Sequence, residues 1–149
     1  MSQQSVIHST FTIERAYAAA PERVFAAWAD PRTKRRWFAE SEGSAVEAYE
    51  LDFRVGGREH GRFRLAGGAL FSNDTVYLDI VPGGRIVSAY TMSAGERRIS
   101  ASLATVELAP ASAGTRLVFT EQAAFFAGAD GPERREQGWR ELLARLAAE

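Results

Sequence analysis

The chain is 149 residues long, 46% hydrophobic and 25% charged, with 18 Lys plus Arg against 19 Asp plus Glu for a formal net charge of -1. That length and apolar content suit one domain over residues 1–149 with a sizeable core, and the balanced charge lacks the basic excess of a nucleic-acid binder. The absence of cysteine excludes disulfides, thiolate zinc sites and a cysteine nucleophile.

Residues 1–10 are polar and lack the basic start and apolar run of a secretory signal, which points to the cytoplasm. No apolar run reaches the roughly 18 residues that crossing a bilayer requires, so no membrane insertion is expected. Phe11, Ile13, Arg15 and Tyr17 alternate with Thr12, Glu14 and Ala16, predicting a first strand with two unlike faces. Pro21 then suits the first position of a short helix over 21–29, whose Val24, Phe25 and Trp28 share one face. Asp30-Pro31 repeats the start signal and predicts a second short helix over 33–38.

Turn signals at Gly56-Gly57, Ala66-Gly67-Gly68, Pro82-Gly83-Gly84, Ala94-Gly95 and the 110–114 loop divide the middle of the chain. They predict an antiparallel meander with strands at 46–55, 58–65, 71–81, 85–92, 98–108 and 115–125. After Asp130-Gly131-Pro132, the spacing of Trp139, Leu142, Leu143 and Leu146 predicts a long helix with one apolar stripe. Arg134, Arg135, Glu136, Arg140, Glu141 and Arg145 fall on its remaining surface. An antiparallel sheet with one uncovered face is the large partner on which that stripe can be buried. The expected class is α+β: a curved antiparallel seven-stranded sheet around a long C-terminal helix, with two short helices after strand one.

If Gly56-Gly57 forms a two-residue turn, Arg54 lies opposite Glu59 and Phe53 opposite His60, which predicts an Arg54–Glu59 ion pair. Strand parity turns Glu121 inward with Leu117 and Phe119, and Asp79 inward with Tyr77 and Val81. A buried, unpartnered carboxylate at either position is a candidate general base; pairing with an arginine at the sheet rim is the simpler alternative. The two histidines, His8 and His60, have no metal-ligand spacing, and no serine has histidine and acid partners in a recognisable pattern. No cofactor is implied.

Aromatic residues come from nearly every element, and a sheet cannot bring its whole width onto one helix, so some of them are expected to line leftover space. The candidate ligand-binding set is Trp28, Arg54, Glu59, Phe63, Tyr77, Tyr90, Phe119, Glu121, Trp139 and Leu143. Strand six gives a further expectation. If Ser102, Ala104, Val106 and Leu108 face the helix, then Ile99, Ala101 and Leu103 form an outward apolar row that would support a homodimer.

The element order resembles the START-like superfamily, also called the Bet v-like or SRPBCC helix-grip fold. The segment Ala20-Pro21-Glu22-Arg23-Val24-Phe25-Ala26-Ala27-Trp28-Ala29-Asp30-Pro31, followed by Trp37-Phe38, is similar to the opening of the branch named for the activator of the heat-shock chaperone ATPase. Asp52-Phe53-Arg54-Val55-Gly56-Gly57-Arg58-Glu59, Ile80-Val81-Pro82 with Arg85-Ile86-Val87, Gly114-Thr115-Arg116-Leu117, and Gly138-Trp139 with Leu142-Leu143 continue the likeness in order. This chain departs from the pattern at Glu59-His60, where an aromatic residue often follows the paired glycines. The resemblance implies a cavity between the sheet and the last helix. It leaves three readings: a carrier or sensor for a small apolar or aromatic molecule, a cyclase- or dehydratase-like enzyme using a buried carboxylate, and a co-chaperone-type interaction module.

Overall fold

The computed structural model describes residues 5–126 and 131–149; Asp130 of the lead-in to the last helix lies outside them. Strand β1 (Ile7–Tyr17) is followed by α1 (Pro21–Ala29), α2 (Pro31–Lys34) and a π-helical turn (Arg35–Ala39). Then come β2 (Ser44–Leu51), β3 (Arg58–Leu65), β4 (Leu70–Val81), β5 (Arg85–Ala94), β6 (Arg97–Ala111), β7 (Gly114–Phe125) and α3 (Pro132–Leu146). All strand pairs are antiparallel, in the order β1-β7-β6-β5-β4-β3-β2. The helix-grip architecture is therefore present.

β7 shows how alternation builds the core face: Thr115, Leu117, Phe119, Glu121, Ala123 and Phe125 are buried in strict period two. Register shifts between Val46 and Ala48, Tyr77 and Asp79, and Met92 and Ser93 mark β-bulges, which bend the strands and curl the sheet around α3. Trp139, Leu143 and Leu146 bury the helix stripe against the core. The Tyr17 hydroxyl donates to the Leu143 carbonyl at 2.8 Å, joining β1 to α3. The end of α3 is held as well: Arg36 Nη2 donates to the Glu149 carboxylate at 2.7 Å, and Arg145 to the Arg36 carbonyl at 3.0 Å.

Three expectations are corrected, one by the early end of β2 and two by bulges. β2 ends at Leu51 rather than 55, and Gly56 and Gly57 pair with Tyr77 on β4, so the connection is wider than a two-residue turn. Glu59 consequently faces Leu51, and Arg54 is an exposed loop residue bonded to Asp52 at 2.9 Å; the Arg54–Glu59 pair does not form. In β4 the extra residue at Leu78 breaks the parity that linked Asp79 to Tyr77. Asp79 lies at the surface, paired with Arg85 at 2.8 Å. In β6, Ser102, Ala104, Val106 and Leu108 do face inward, but the irregularity near Ser100 buries Ile99 too. Only Leu103 and half-buried Ala101 remain of the outward row, so the surface behind the homodimer expectation is largely lost.

Candidate functional site

The second short helix begins as expected, with Asp30 accepting from the Arg32 and Thr33 amides at 2.9 and 3.2 Å. It then widens into the π-turn, an element common where function requires a local change in side-chain direction. Lys34, at the junction, is 3% exposed and points into the protein. Its ammonium lies 4.6 Å from the Phe38 ring centroid, 5.2 Å from Trp28 and 5.7 Å from Trp37. Its counter-ion is Glu59 on β3: Lys34 Nζ is 3.1 Å from each carboxylate oxygen. The Tyr77 hydroxyl donates to Glu59 Oε1 at 2.7 Å and the Tyr49 hydroxyl to Oε2 at 2.6 Å.

A second buried ion pair stands at the other end of the core. Arg135, in the first turns of α3, reaches Glu121 Oε2 at 3.1 Å and donates to Ser100 Oγ at 2.7 Å. The Tyr90 hydroxyl donates to Glu121 Oε1 at 2.7 Å, and Ser102 Oγ to Oε2 at 3.0 Å. Tyr90 in turn accepts from Trp139 Nε1 at 3.2 Å. Burial, followed by the neighbouring carboxylate in each case, pushes the hydroxyls of Tyr49, Tyr77 and Tyr90 well above the ordinary phenol range. They act as neutral donors.

Both carboxylates thus accept from two hydroxyls and a cation. Glu121 is therefore not the buried, unpartnered carboxylate of the general-base expectation, because two hydroxyls and a guanidinium compensate its charge. The sequence alternative for Glu121, pairing with an arginine, holds, although that arginine comes from α3 and is buried rather than at the rim.

Between the two networks lies an aromatic wall. Trp139 packs on Phe119 with centroids 4.3 Å apart, and Trp28 stacks on Trp139 at 6.2 Å. The innermost space, bordered by Trp28, Glu59, Tyr77, Tyr90, Phe119 and Trp139, amounts to only about 30 Å³. Farther along α3 it meets a larger recess of about 230 Å³, walled by Phe38, Phe63, Met92, Tyr90, Trp139 and Leu142. Phe38, Phe63, Gly138 and Leu142 also border an open outer groove of about 920 Å³ between α3, the π-turn and β3–β4. The recess therefore joins the interior to the surface at this end.

Of the residues singled out from sequence, Trp28, Glu59, Phe63, Tyr77, Tyr90, Phe119 and Trp139 border these spaces. Glu121 and Leu143 are wholly buried behind them, and Arg54 sits on a separate surface depression with Asp52 and Gly57. Lys34, Tyr49, Asn73 and Arg135 were not anticipated. Helical spacing held the signal for two: Lys34 shares a face with Trp37 and Phe38, and Arg135 shares the stripe of Trp139 and Leu142. For Asn73 the signal was parity with Thr75 and Tyr77. His60 contacts Asp74 at 2.7 Å near the surface, away from the recess.

The family described as Activator of Hsp90 ATPase homolog 1-like protein matches residues 18–149. The chain belongs to that family. Among solved structures, the Mll3558 protein from Rhizobium loti is 52% identical, covering 97% of this chain and 99% of its own, with a TM-score of 0.90. A protein from Rhizobium leguminosarum is 44% identical over 97% of this chain and 95% of its own, with a TM-score of 0.93. The AHSA1-like protein from Aeromonas hydrophila, at 20% identity over 94% of this chain and 90% of its own with a TM-score of 0.67, shares the fold. No curated protein matches the chain. Among the described residues, no helix is long and apolar enough to cross a membrane.

Proposed function

We propose that this family member binds a small apolar or aromatic molecule in the recess between the sheet and α3, as a carrier or sensor rather than an enzyme. The observation behind this reading is the pairing of an aromatic-walled recess with two inward carboxylates that are both fully hydrogen-bonded and charge-compensated. Such walls contribute affinity by removing apolar ligand surface from water, whereas acid–base chemistry would need one of those carboxylates released. The cyclase- or dehydratase-like alternative is weakened by the same fact.

The family description names activation of the Hsp90 ATPase, and a fold does not carry its function from one member to another. An interaction module is favoured by a contiguous exposed apolar patch. Here the exposed large apolar residues are distributed over β1, the β2–β3 connection, β3, β4 and β6.

Calorimetric titration with 2-methylnaphthalene tests the proposal. Binding should saturate at one molecule per chain, and Leu142→Trp, which fills the recess, should weaken it by about tenfold or more, the effect of losing a well-packed apolar contact. No saturable binding, or binding indifferent to Leu142→Trp, would refute the assignment.

A further inference from the structure

Asn73 on β4 is 2% exposed and sits where the innermost space and the recess meet. Its amide nitrogen donates to Thr75 Oγ1 at 3.3 Å, but its Oδ1 has no hydrogen-bond partner. A buried polar group left unpaired is costly, so natural interiors rarely retain one without a reason. The surroundings supply the reason. Gly61, opposite Asn73 in the β3–β4 register, lacks a side chain where its inward face meets Asn73. A Cβ there would lie 2.5 Å from Asn73 Oδ1 and 2.4 Å from Phe63 Cζ. The half-buried Phe63 ring and the amide oxygen thus fill the place that a side chain at 61 would take, a close packing that only glycine permits. Phe63 borders the recess beside Asn73, and the outer groove as well.

We propose that Asn73 determines the specificity of this site: its amide oxygen accepts a hydrogen bond from a hydroxyl or N–H group on an aromatic ligand. The site therefore takes phenols and indole-like molecules in preference to hydrocarbons of the same shape. The inference rests on the recess reading above and adds to it the polar group of the ligand. Physically, an apolar wall discriminates weakly between isosteres, whereas a buried acceptor with no protein partner rewards the one ligand that brings a donor.

Three probes of nearly equal shape separate the cases: 2-naphthol carries a donor, 2-methoxynaphthalene only an acceptor, and 2-methylnaphthalene neither. The wild-type protein should bind 2-naphthol about tenfold tighter than either of the others, the size of one buried hydrogen bond. Asn73→Leu should abolish the preference, so that 2-naphthol and 2-methylnaphthalene bind within about twofold of each other, whatever the change in their common affinity. Asn73→Ala serves as the second variant if the leucine does not fold. In the wild type, the Asn73 side-chain amide resonances should move more with 2-naphthol than with 2-methylnaphthalene. Equal affinities for the three probes, a preference matched by 2-methoxynaphthalene, or a preference surviving both substitutions would overturn the Asn73 assignment and leave the recess reading intact. Failure of all three probes to bind would overturn both.

Discussion

Lys34 and Glu59, from a short helix and the third strand, meet at 3.1 Å with side chains 3% and 2% exposed. Removing one member of a buried pair strands the other charge in a medium of low polarity, which costs about 3–5 kcal/mol. Lys34→Met should therefore destabilise the protein by that amount in urea unfolding. Lys34→Met combined with Glu59→Gln removes both charges while keeping an acceptor for Tyr49 or Tyr77. The double variant should lie at least about 1 kcal/mol above the sum of the singles, within the usual coupling for contacting residues. Strict additivity would show that the pair is not energetically coupled.

How much of this was legible in the sequence depends on the kind of residue. The β7 alternation and the Trp139–Leu146 stripe were readable because one period governs each whole element, and the helix-grip order followed from them. What failed was parity across a bulge and the length of a turn: a single extra residue at Leu78 moved Asp79 outward, and the early end of β2 at Leu51 separated Arg54 from Glu59. Lys34 and Arg135 were hidden for another reason. Charged residues are ordinarily solvated, so a charge on an apolar stripe reads as an error in the stripe until its partner is known, and both partners lie on other elements.

Glu121 and Asp79 started as equivalent candidates and differ sharply in structure, which makes them a matched pair for mutagenesis. Glu121 is wholly buried and held by Tyr90, Ser102 and Arg135, whereas Asp79 is 46% exposed in its pair with Arg85. Glu121→Gln should cost about 3 kcal/mol or more, because the Arg135 charge loses its compensation. Asp79→Asn should change stability by no more than about 0.5 kcal/mol, the usual value of an exposed pair. Comparable losses in guanidinium unfolding would contradict this placement.

Gly57 and Gly61 form a second contrast. A Cβ at Gly57 would lie 2.1 Å from the Asp52 carbonyl oxygen, a backbone atom fixed by the β2–β3 connection. At Gly61 the obstacles are the Phe63 ring and the Asn73 amide, both ends of rotatable side chains. Gly57→Ala should thus cost about 3 kcal/mol, at the upper end for overpacking, and Gly61→Ala about 1 kcal/mol. The reverse order in thermal unfolding would mean that the Phe63 ring cannot yield.

All four tyrosines of the chain, Tyr17, Tyr49, Tyr77 and Tyr90, have hydroxyls shifted upward from 10.0, chiefly by desolvation. For Tyr17, whose hydroxyl donates to the Leu143 carbonyl, the value is pushed up to about 12. A folded-state value above the unfolded one means that above pH 10 the native chain retains protons the unfolded chain has released. Stability is therefore complete below about pH 10 and falls as the pH rises. The Tyr17 contribution, about 2–3 kcal/mol, is lost between roughly pH 10 and 12, and the other three phenols extend the loss to higher pH. Phenolate absorbance should accordingly show no tyrosine ionising near pH 10 in the native protein, and its appearance should coincide with the loss of helical circular dichroism. Tyr17→Phe should flatten the decline over that window, since the group that ionises on unfolding is gone. A phenolate step near pH 10 with the fold intact would show that at least one of these hydroxyls is open to water.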